Sequence, residues 1–473
     1  MIALLSIPAG RAAAADWFVA PGGSGKGTSG APLGRIQDAI DAAQPGDVIT
    51  VAPGTYTERL RTARNASSSE RITLRARDGR GSVLVTVSGR VLTVSHAYFT
   101  VDGLVLDGRY GSSDLVRVES GGSGLTLRDS EVRRTSRDGI DIGAARDVLI
   151  EDSLVHHTLN AANGRTDAHG IVAGAVRRLT IRNTEVHTFS GDAFQVDPGR
   201  DTAGWSDVVI EGCDFWLAPL PSPENGFPAG TVAGENAVDT KASSSAPRAK
   251  LTIRDTEAWG FRGGLISNMA AFNLKENIEV VVDRVTVRDS QIAFRLRGPG
   301  THGGARVRVQ NAVVHSADVA FRYEDDIDTP RIYNVTIGGG VTRPFVSASS
   351  SGTTLDVRNF LMLGSSLPSQ AAGPSNLAVP ASAFVDAGSH NYQLGDGSPA
   401  IDAGAAIAGV TEDRQGTDRP QGQAYDIGAY ERTGGGASSP GPGPEAARGA
   451  AGRGNPASGS VTNDSTIVAE TGS

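Results

Sequence analysis

One cysteine, Cys213, stands among 473 residues, so no disulfide can form within the chain. It falls inside a repeated strand and reads as a small buried apolar residue, not as a nucleophile. Aromatic residues make up only 5%, which suits a narrow core filled by Val, Ile and Leu. The net charge is −8, with no basic face of the kind a nucleic-acid binder shows, so nucleic acid is excluded as a partner. An acidic sugar is not excluded, because a local groove can oppose the global sign. No stretch reaches the roughly 18 apolar residues that a bilayer-spanning helix needs. Lysine is nearly missing too: Lys26, Lys241, Lys250 and Lys275 are the only four, against 40 arginines.

What the chain does have is a repeated phrase. SGLTLRDSEV from Ser123 returns as RDVLIEDSLV from Arg146, RRLTIRNTEV from Arg177, SDVVIEGCDF from Ser206 and AKLTIRDTEA from Ala249. It persists more loosely to Thr353. With Leu127, Ile150, Ile181, Ile210, Ile253, Val282, Val309, Ile332 and Val357 as equivalents, the steps are 23, 31, 29, 43, 29, 27, 23 and 25 residues. A period of that length marks a solenoid. Each phrase alternates apolar and polar residues and stops at Asp-Ser, Asn-Thr or Asp-Thr, which form turns. The fold class expected is therefore all-β: a right-handed parallel β-helix of about ten or more rungs between residues 47 and 365.

The ends read differently. Residues 1–15, with an apolar run and an Ala-rich site before Asp16, look like the remnant of a secretory signal, so the protein is expected to be secreted and extracellular. In 16–60, Leu33, Ile36, Ile40 and Ala43 mark one face of a short capping helix, followed by a first strand. The β-helix proper is assigned to 61–365 and a C-terminal cap to 366–433. There the words SPAIDAG and DIGAYE resemble the closing segment of secreted bacterial β-helix proteins. Asp402, Asp418 and Asp426 in it are read as turn and capping carboxylates, not metal ligands. The Gly-, Ser- and Pro-rich residues 434–473 read as a disordered tail.

Chemistry concentrates on one strand of each rung. Aligning Ile140, Ile171, Phe194, Val238, Leu265, Phe294 and Phe321 as inward residues gives three outward or flanking ladders. Two before the anchor stand Asp138, His169, Asp192 and Asn236. One after it come Asp141, Val172, Gln195, Asp239, Ile266, Arg295 and Arg322. Three after it come Asp197, Lys241, Asn268, Arg297 and Glu324. Rungs lie about 4.8 Å apart, so these side chains share one patch. Acids and amides occupy the early rungs, a lysine the middle and arginines the later ones. In a chain that writes its cations as arginine, Lys241 stands out, because lysine can lose a proton and serve as a base whereas arginine practically cannot. A solvated pair with Asp239 would be its ordinary role. Asp192, Glu235, Asn236 and Asp239 are hard oxygen donors on adjoining rungs, a set that suits Ca²⁺. The longest step holds a Pro-rich insertion, WLAPLPSPENGFPAGTVAG, placed to wall one end of a groove.

The stretch Glu235-Asn236-Ala237-Val238-Asp239-Thr240-Lys241, preceded by Gly191-Asp192-Ala193-Phe194, resembles secreted β-helix polysaccharide lyases of the chondroitinase-B and alginate-lyase type, related to the pectate lyases. The resemblance implies calcium-assisted β-elimination from a uronic-acid polysaccharide. Lys241 would be the base, and Arg295 or Arg262 would support charge or donate a proton. His169, Gln195, Asp197, Asn268 and Arg297 would contact the substrate, and Asp192, Glu235, Asn236 and Asp239 would hold calcium. The family's arginine, expected one rung after the lysine, has no match there, since Asn268 takes that place. The partner would be an acidic polysaccharide and the protein a monomer. A C5-epimerase would share the first step. An inverting glycoside hydrolase, using carboxylates roughly 6.5–9.5 Å apart, and a non-catalytic glycan-binding surface protein are the other readings the fold allows.

Overall fold

In the computed structural model, which describes residues 14–161, 167–199, 204–298, 302–350 and 352–433, three parallel sheets wind into a β-helix. The first has 13 strands, from Asp16–Val19 to Asp356–Arg358. The second has 13, from Gly54–Tyr56 to Leu377–Val379, and the third has 11, from Leu60–Arg61 to Arg343–Ser347. Most rungs contribute one strand to each sheet. Arg177–Arg182, Glu185–Phe189 and Phe194–Val196 make one such rung, and each strand pairs only with its equivalents one rung away. The residues taken as equivalent in the sequence are in register, as Ile181 with Ile210 and Ile210 with Ile253 show. The sheets extend beyond the expected bounds of 47 and 365, because Asp16–Val19 pairs with Val48–Val51 and Leu361–Leu363 with Leu377–Val379.

The turn formers have a definite task. Asp129, Asp152, Asn183, Asp255, Asn311, Asn334 and Asn359 hold φ between 45° and 53° at the corner between the first two sheets. Asp and Asn accept this left-handed conformation more readily than other residues with side chains. In four of these corners the next residue points inward and is small and polar: Ser130, Ser153, Thr184 and Thr256 are buried, whereas Ala312, Val335 and Phe360 follow the last three. Each hydroxyl donates to the carbonyl two residues back. Cys213 occupies this ladder, not a strand, with Sγ 3.4 Å from the carbonyl oxygen of Glu211.

Inside the third sheet the rings of Phe272, Phe294, Phe321 and Phe345 stack at 5.4, 5.0 and 5.5 Å between centroids. This stack lies directly beneath the strands that carry the charged ladders.

At the N-terminal end the helix Ile36–Ala42 buries Ile36, Ala39 and Ile40 against the first strands. Its free amides at Ile36 and Gln37 donate to the carboxylate of Glu58 at 2.8 and 3.1 Å, which satisfies part of the helix N-terminus. At the other end, Phe384–Asp386 and Asn391–Leu394 form an antiparallel pair, and Phe384, Tyr392, Leu394 and Ile427 pack with Val313 and Leu361. Asp402 and Asp426 accept backbone amides of Ala424 and Asp402 respectively, and Arg419 and Glu431 form a buried pair at 2.7 Å. No helix among the described residues is long and apolar enough to cross a membrane.

Because the Phe stack is continuous, Phe294→Ala should open a gap with rings above and below and cost about 3–5 kcal/mol in urea unfolding. A loss below about 1 kcal/mol would mean that the stack does not hold the third sheet.

Candidate active site

Register redraws the ladders at one rung. Val238 pairs with Phe272, not with Leu265. Leu265 is 59% exposed in a loop entered through Gly263 at φ 65°. The rung that follows Lys241 therefore presents Asn273 and Lys275, and Ile266 and Asn268 leave the ladders. The outward side chains one residue past the anchor are Gln195, Asp239, Asn273, Arg295 and Arg322. Three past it stand Asp197, Lys241, Lys275, Arg297 and Glu324.

The backbone under Lys241 is fixed on both sides. Its amide donates to Val196 at 2.9 Å, and its carbonyl accepts the indole N–H of Trp205, a buried ring, at 2.9 Å. Thr240 points inward and joins the next rung through its hydroxyl, which donates to the Lys275 carbonyl and accepts the Lys275 amide. The two lysines are thus held one rung apart on the same face.

Their partners differ. Lys241 Nζ lies 3.0 Å from Gln195 Oε1 and 3.1 Å from Asp197 Oδ2. Lys275 Nζ lies 2.8 and 3.0 Å from the two oxygens of Asp239, and Asn273 Nδ2 donates to the same carboxylate at 2.7 Å. Gln195 turns its Nε2 to Asp192 Oδ2 at 2.8 Å, so one amide bridges a carboxylate and an ammonium, with its oxygen toward the cation. Asp192 Oδ1 accepts the backbone and side-chain amides of Asn236 at 3.1 and 2.7 Å. His169 Nδ1 accepts the Asp192 amide at 2.8 Å, which places the proton of a neutral ring on Nε2. His169, Asp192, Asn236, Gln195, Asp197 and Lys241 are therefore brought into one connected network, beside which Asp239 pairs with Lys275 and Asn273.

Electrostatics set the acids apart. Glu235 is pushed up to about 8, by burial first and then by the charges of Asp192, Asp167 and Asp239. Asp239 is raised as well, chiefly by burial, against the pull of Lys275. A crowd of carboxylates with suppressed ionisation is what a divalent cation would relieve. Asn273 Oδ1 adds a buried oxygen without a hydrogen-bond partner. The donors are all oxygens, so their chemistry fits Ca²⁺ better than a softer metal. Asp239 is the least available of the expected ligands, since both its oxygens already meet the Lys275 ammonium, and Asn236 Oδ1 accepts the Ala270 amide at 3.2 Å.

A tighter acidic group lies three rungs toward the N-terminus. Among the described residues, Asp114, Asp138 and Asp141 bring carboxylate oxygens within 4.8 Å of one another. Arg90 and Arg137 pair with Asp114, and Arg117 pairs with Asp141. Three guanidiniums already balance these three acids.

The arginines divide into two sets. Arg295 and Arg297 reach Glu324 at 3.1 and 3.0 Å, and Arg322 donates to Asn268 Oδ1 at 2.7 Å. Asn268 thus meets the groove from its loop, at φ 60°. Arg262 is spent elsewhere: it donates to the carbonyls of Ser290 and Ser316 at 3.1 Å and to Asp318 at 3.0 Å, and none of the groove residues is among its partners. The Pro-rich insertion leans toward earlier rungs, where Asn225 donates to Ser136 Oγ at 2.9 Å, Tyr110 binds Glu224 and Leu220 and Phe227 pack on Leu159. A cleft of about 580 Å³ opens beside Asn225 and Arg137.

No protein-family model matches the chain, and no curated protein sequence matches it. Solved structures do. Pectate lyase Pel9A is 18% identical, with a TM-score of 0.50 over 88% of this chain and 96% of its own. A rhamnogalacturonan lyase is 13% identical, with a TM-score of 0.50 over 81% and 95%. At these identities the likeness shows the fold, a β-helix shared with polysaccharide lyases.

Lys275 and Asp239 form a buried pair, so removing one partner strands the other. Lys275→Met should cost about 3–5 kcal/mol in urea unfolding, and the Lys275→Met/Asp239→Asn double variant should recover most of that loss. Additive losses in the double variant would show that the two side chains are not coupled.

Proposed function

We propose that the protein is a secreted polysaccharide lyase that cleaves a uronic-acid polymer by β-elimination on the face of the third sheet, with Lys241 as the base. The observation that carries this reading is the setting of Lys241. It is the more accessible of the two groove lysines, with 19% of its side chain exposed against 10% for Lys275. It stands between the acidic network and the arginine group. Lys275 is held by both oxygens of a buried carboxylate, so its role is to hold Asp239 in place.

In the reaction, a substrate carboxylate meets Arg295 and Arg297, and the C5 proton next to it becomes acidic. The Lys241 amine takes that proton. The C5 electron pair forms the C4–C5 double bond, the C4–O bond breaks, and the leaving oxygen takes a proton from water. Glu235, Asp239 and Asp192 are the residues that would hold calcium, whose chemistry there is to neutralise the substrate carboxylate. The activities named for the two fold neighbours, both lyases of acidic polysaccharides, agree with this reading.

General-base help contributes about 10²- to 10⁴-fold, so Lys241→Ala should lose at least that much turnover while keeping its melting temperature. Lys241→Arg should be nearly as inactive, because arginine keeps the charge but does not give up the proton. The assay is ultraviolet absorbance of unsaturated uronate ends on a panel of acidic polysaccharides. Release of reducing ends without unsaturated product would turn the reading to a glycoside hydrolase. Full activity of Lys241→Arg would remove the base.

Calcium is tested separately by calorimetric titration of metal-stripped protein. Binding should be measurable and should weaken roughly 10-fold or more in Glu235→Gln. No heat in the wild type, or equal affinity in the variant, would take the metal out of the site.

A further inference from the structure

Three guanidiniums meet one carboxylate at the C-terminal end of the groove. Arg295 and Arg297 bind the two oxygens of Glu324, at 3.1 Å to Oε1 and 3.0 Å to Oε2, and Arg322 Nε lies 3.6 Å from Oε1. Arg322 Nε is nonetheless buried without a hydrogen-bond partner, and the neutral amide of Asn268 takes another of its donors. Glu324 therefore balances one of three positive charges. Elsewhere on this face the acids and cations match more nearly one to one, as in Lys275 with Asp239 and Arg117 with Asp141. Ile292 and Val319, both buried, stand on the same two strands.

We infer that Arg322, beside the Arg295 and Arg297 pair that serves the sugar being cleaved, forms an anion subsite, distinct from the position of bond cleavage, that takes the carboxylate or sulfate of a second sugar residue, and that Glu324 is an internal stand-in for that anion. The inference rests on the polysaccharide reading above and extends it. Arg322 lies three rungs beyond Lys241, and rungs repeat about every 4.8 Å. One sugar ring advances an extended chain by a similar length, so the group bound there belongs to a residue other than the one losing its C5 proton. Planar guanidiniums suit carboxylate and sulfate oxygens equally. The substrate implied is a polymer charged on residues beyond the one cleaved, not a mainly neutral chain with isolated acids.

The subsite makes a prediction of opposite sign for its two kinds of member. Binding is measured by affinity electrophoresis and calorimetry with polygalacturonate, alginate, a sulfated glycosaminoglycan and neutral dextran. All variants are made in the Lys241→Ala background so that polymer is not consumed. Arg322→Gln should weaken binding of the acidic polymers about 10-fold. Glu324→Gln should tighten it by a similar factor and steepen its loss with salt, and dextran should not respond to either change. A preference for the sulfated over the carboxylated polymers would identify sulfate as the group taken. If Glu324→Gln only lowers the melting temperature and leaves affinity equal or weaker, Glu324 is a structural counter-ion and the subsite is overturned, whatever the lyase assay shows. Opposite-signed affinity changes in a protein that makes no unsaturated product would keep the subsite and remove the lyase reading.

Discussion

Everything on the surface of this molecule follows from parallel stacking in register. Each strand pairs only with its equivalent one rung away, so a side chain at one position faces the same position of its neighbours at about 4.8 Å. Like charges placed there repel and unlike ones pair, so any charged ladder must be sorted along the axis. The third sheet sorts its charges in just this way. Acids are tied by amides at Asp192, a lysine answers the next carboxylate at Asp239, and the arginines follow where only Glu324 remains. A groove of this kind is a by-product of repetition, and its chemistry depends on which rungs depart from the repeat.

How much of this was legible in the sequence depended on the kind of signal. The first sheet and its corner could be read because apolar alternation and the Asp-Ser or Asn-Thr stop recur together, and the corner needs residues that accept positive φ. The third sheet has strands of only three residues in most rungs, too short for alternation to set register alone. The anchor at Leu265 failed because a loop precedes Ala270–Lys275, a six-residue strand buried at every position and so without alternation, and Lys275 and Asn273 went unseen with it. A finer signal was present: Ala193-Phe194, Ala271-Phe272, Ala293-Phe294 and Ala320-Phe321 repeat a small residue before a ring. The small residue is fully buried, and the rings of Phe272, Phe294 and Phe321 join the stack.

The miss also explains a gap in the family resemblance. The cation that seemed absent one rung after Lys241 is there as Lys275, but bound to Asp239. A lysine rather than an arginine at that place matters physically, because its single ammonium can sit against both oxygens of one buried carboxylate, whereas a guanidinium offers a planar fork with donors to spare. Asp239 is nine-tenths buried or more, and a lone charge there would be driven to protonate. The pair therefore opposes, without cancelling, the upward push that burial gives the Asp239 carboxyl.

The loops at the entrance to the third sheet show why the two lysine rungs form the working stretch. The insertion before Lys241 is tied to earlier rungs through Tyr110, Ser136 and Leu159. The loop before Lys275 is tied to later ones through Ser316, Asp318 and Arg322. Each loop is anchored away from the rung that bears it. Had both packed straight over their own strands, they would have lain across Lys241, Lys275 and Asp239. Anchoring them in opposite directions costs backbone length and places Asn268 in a left-handed conformation that asparagine accepts readily. The insertions and the charged ladders therefore locate the same two rungs independently, one by where the chain is pinned and the other by what its side chains can do.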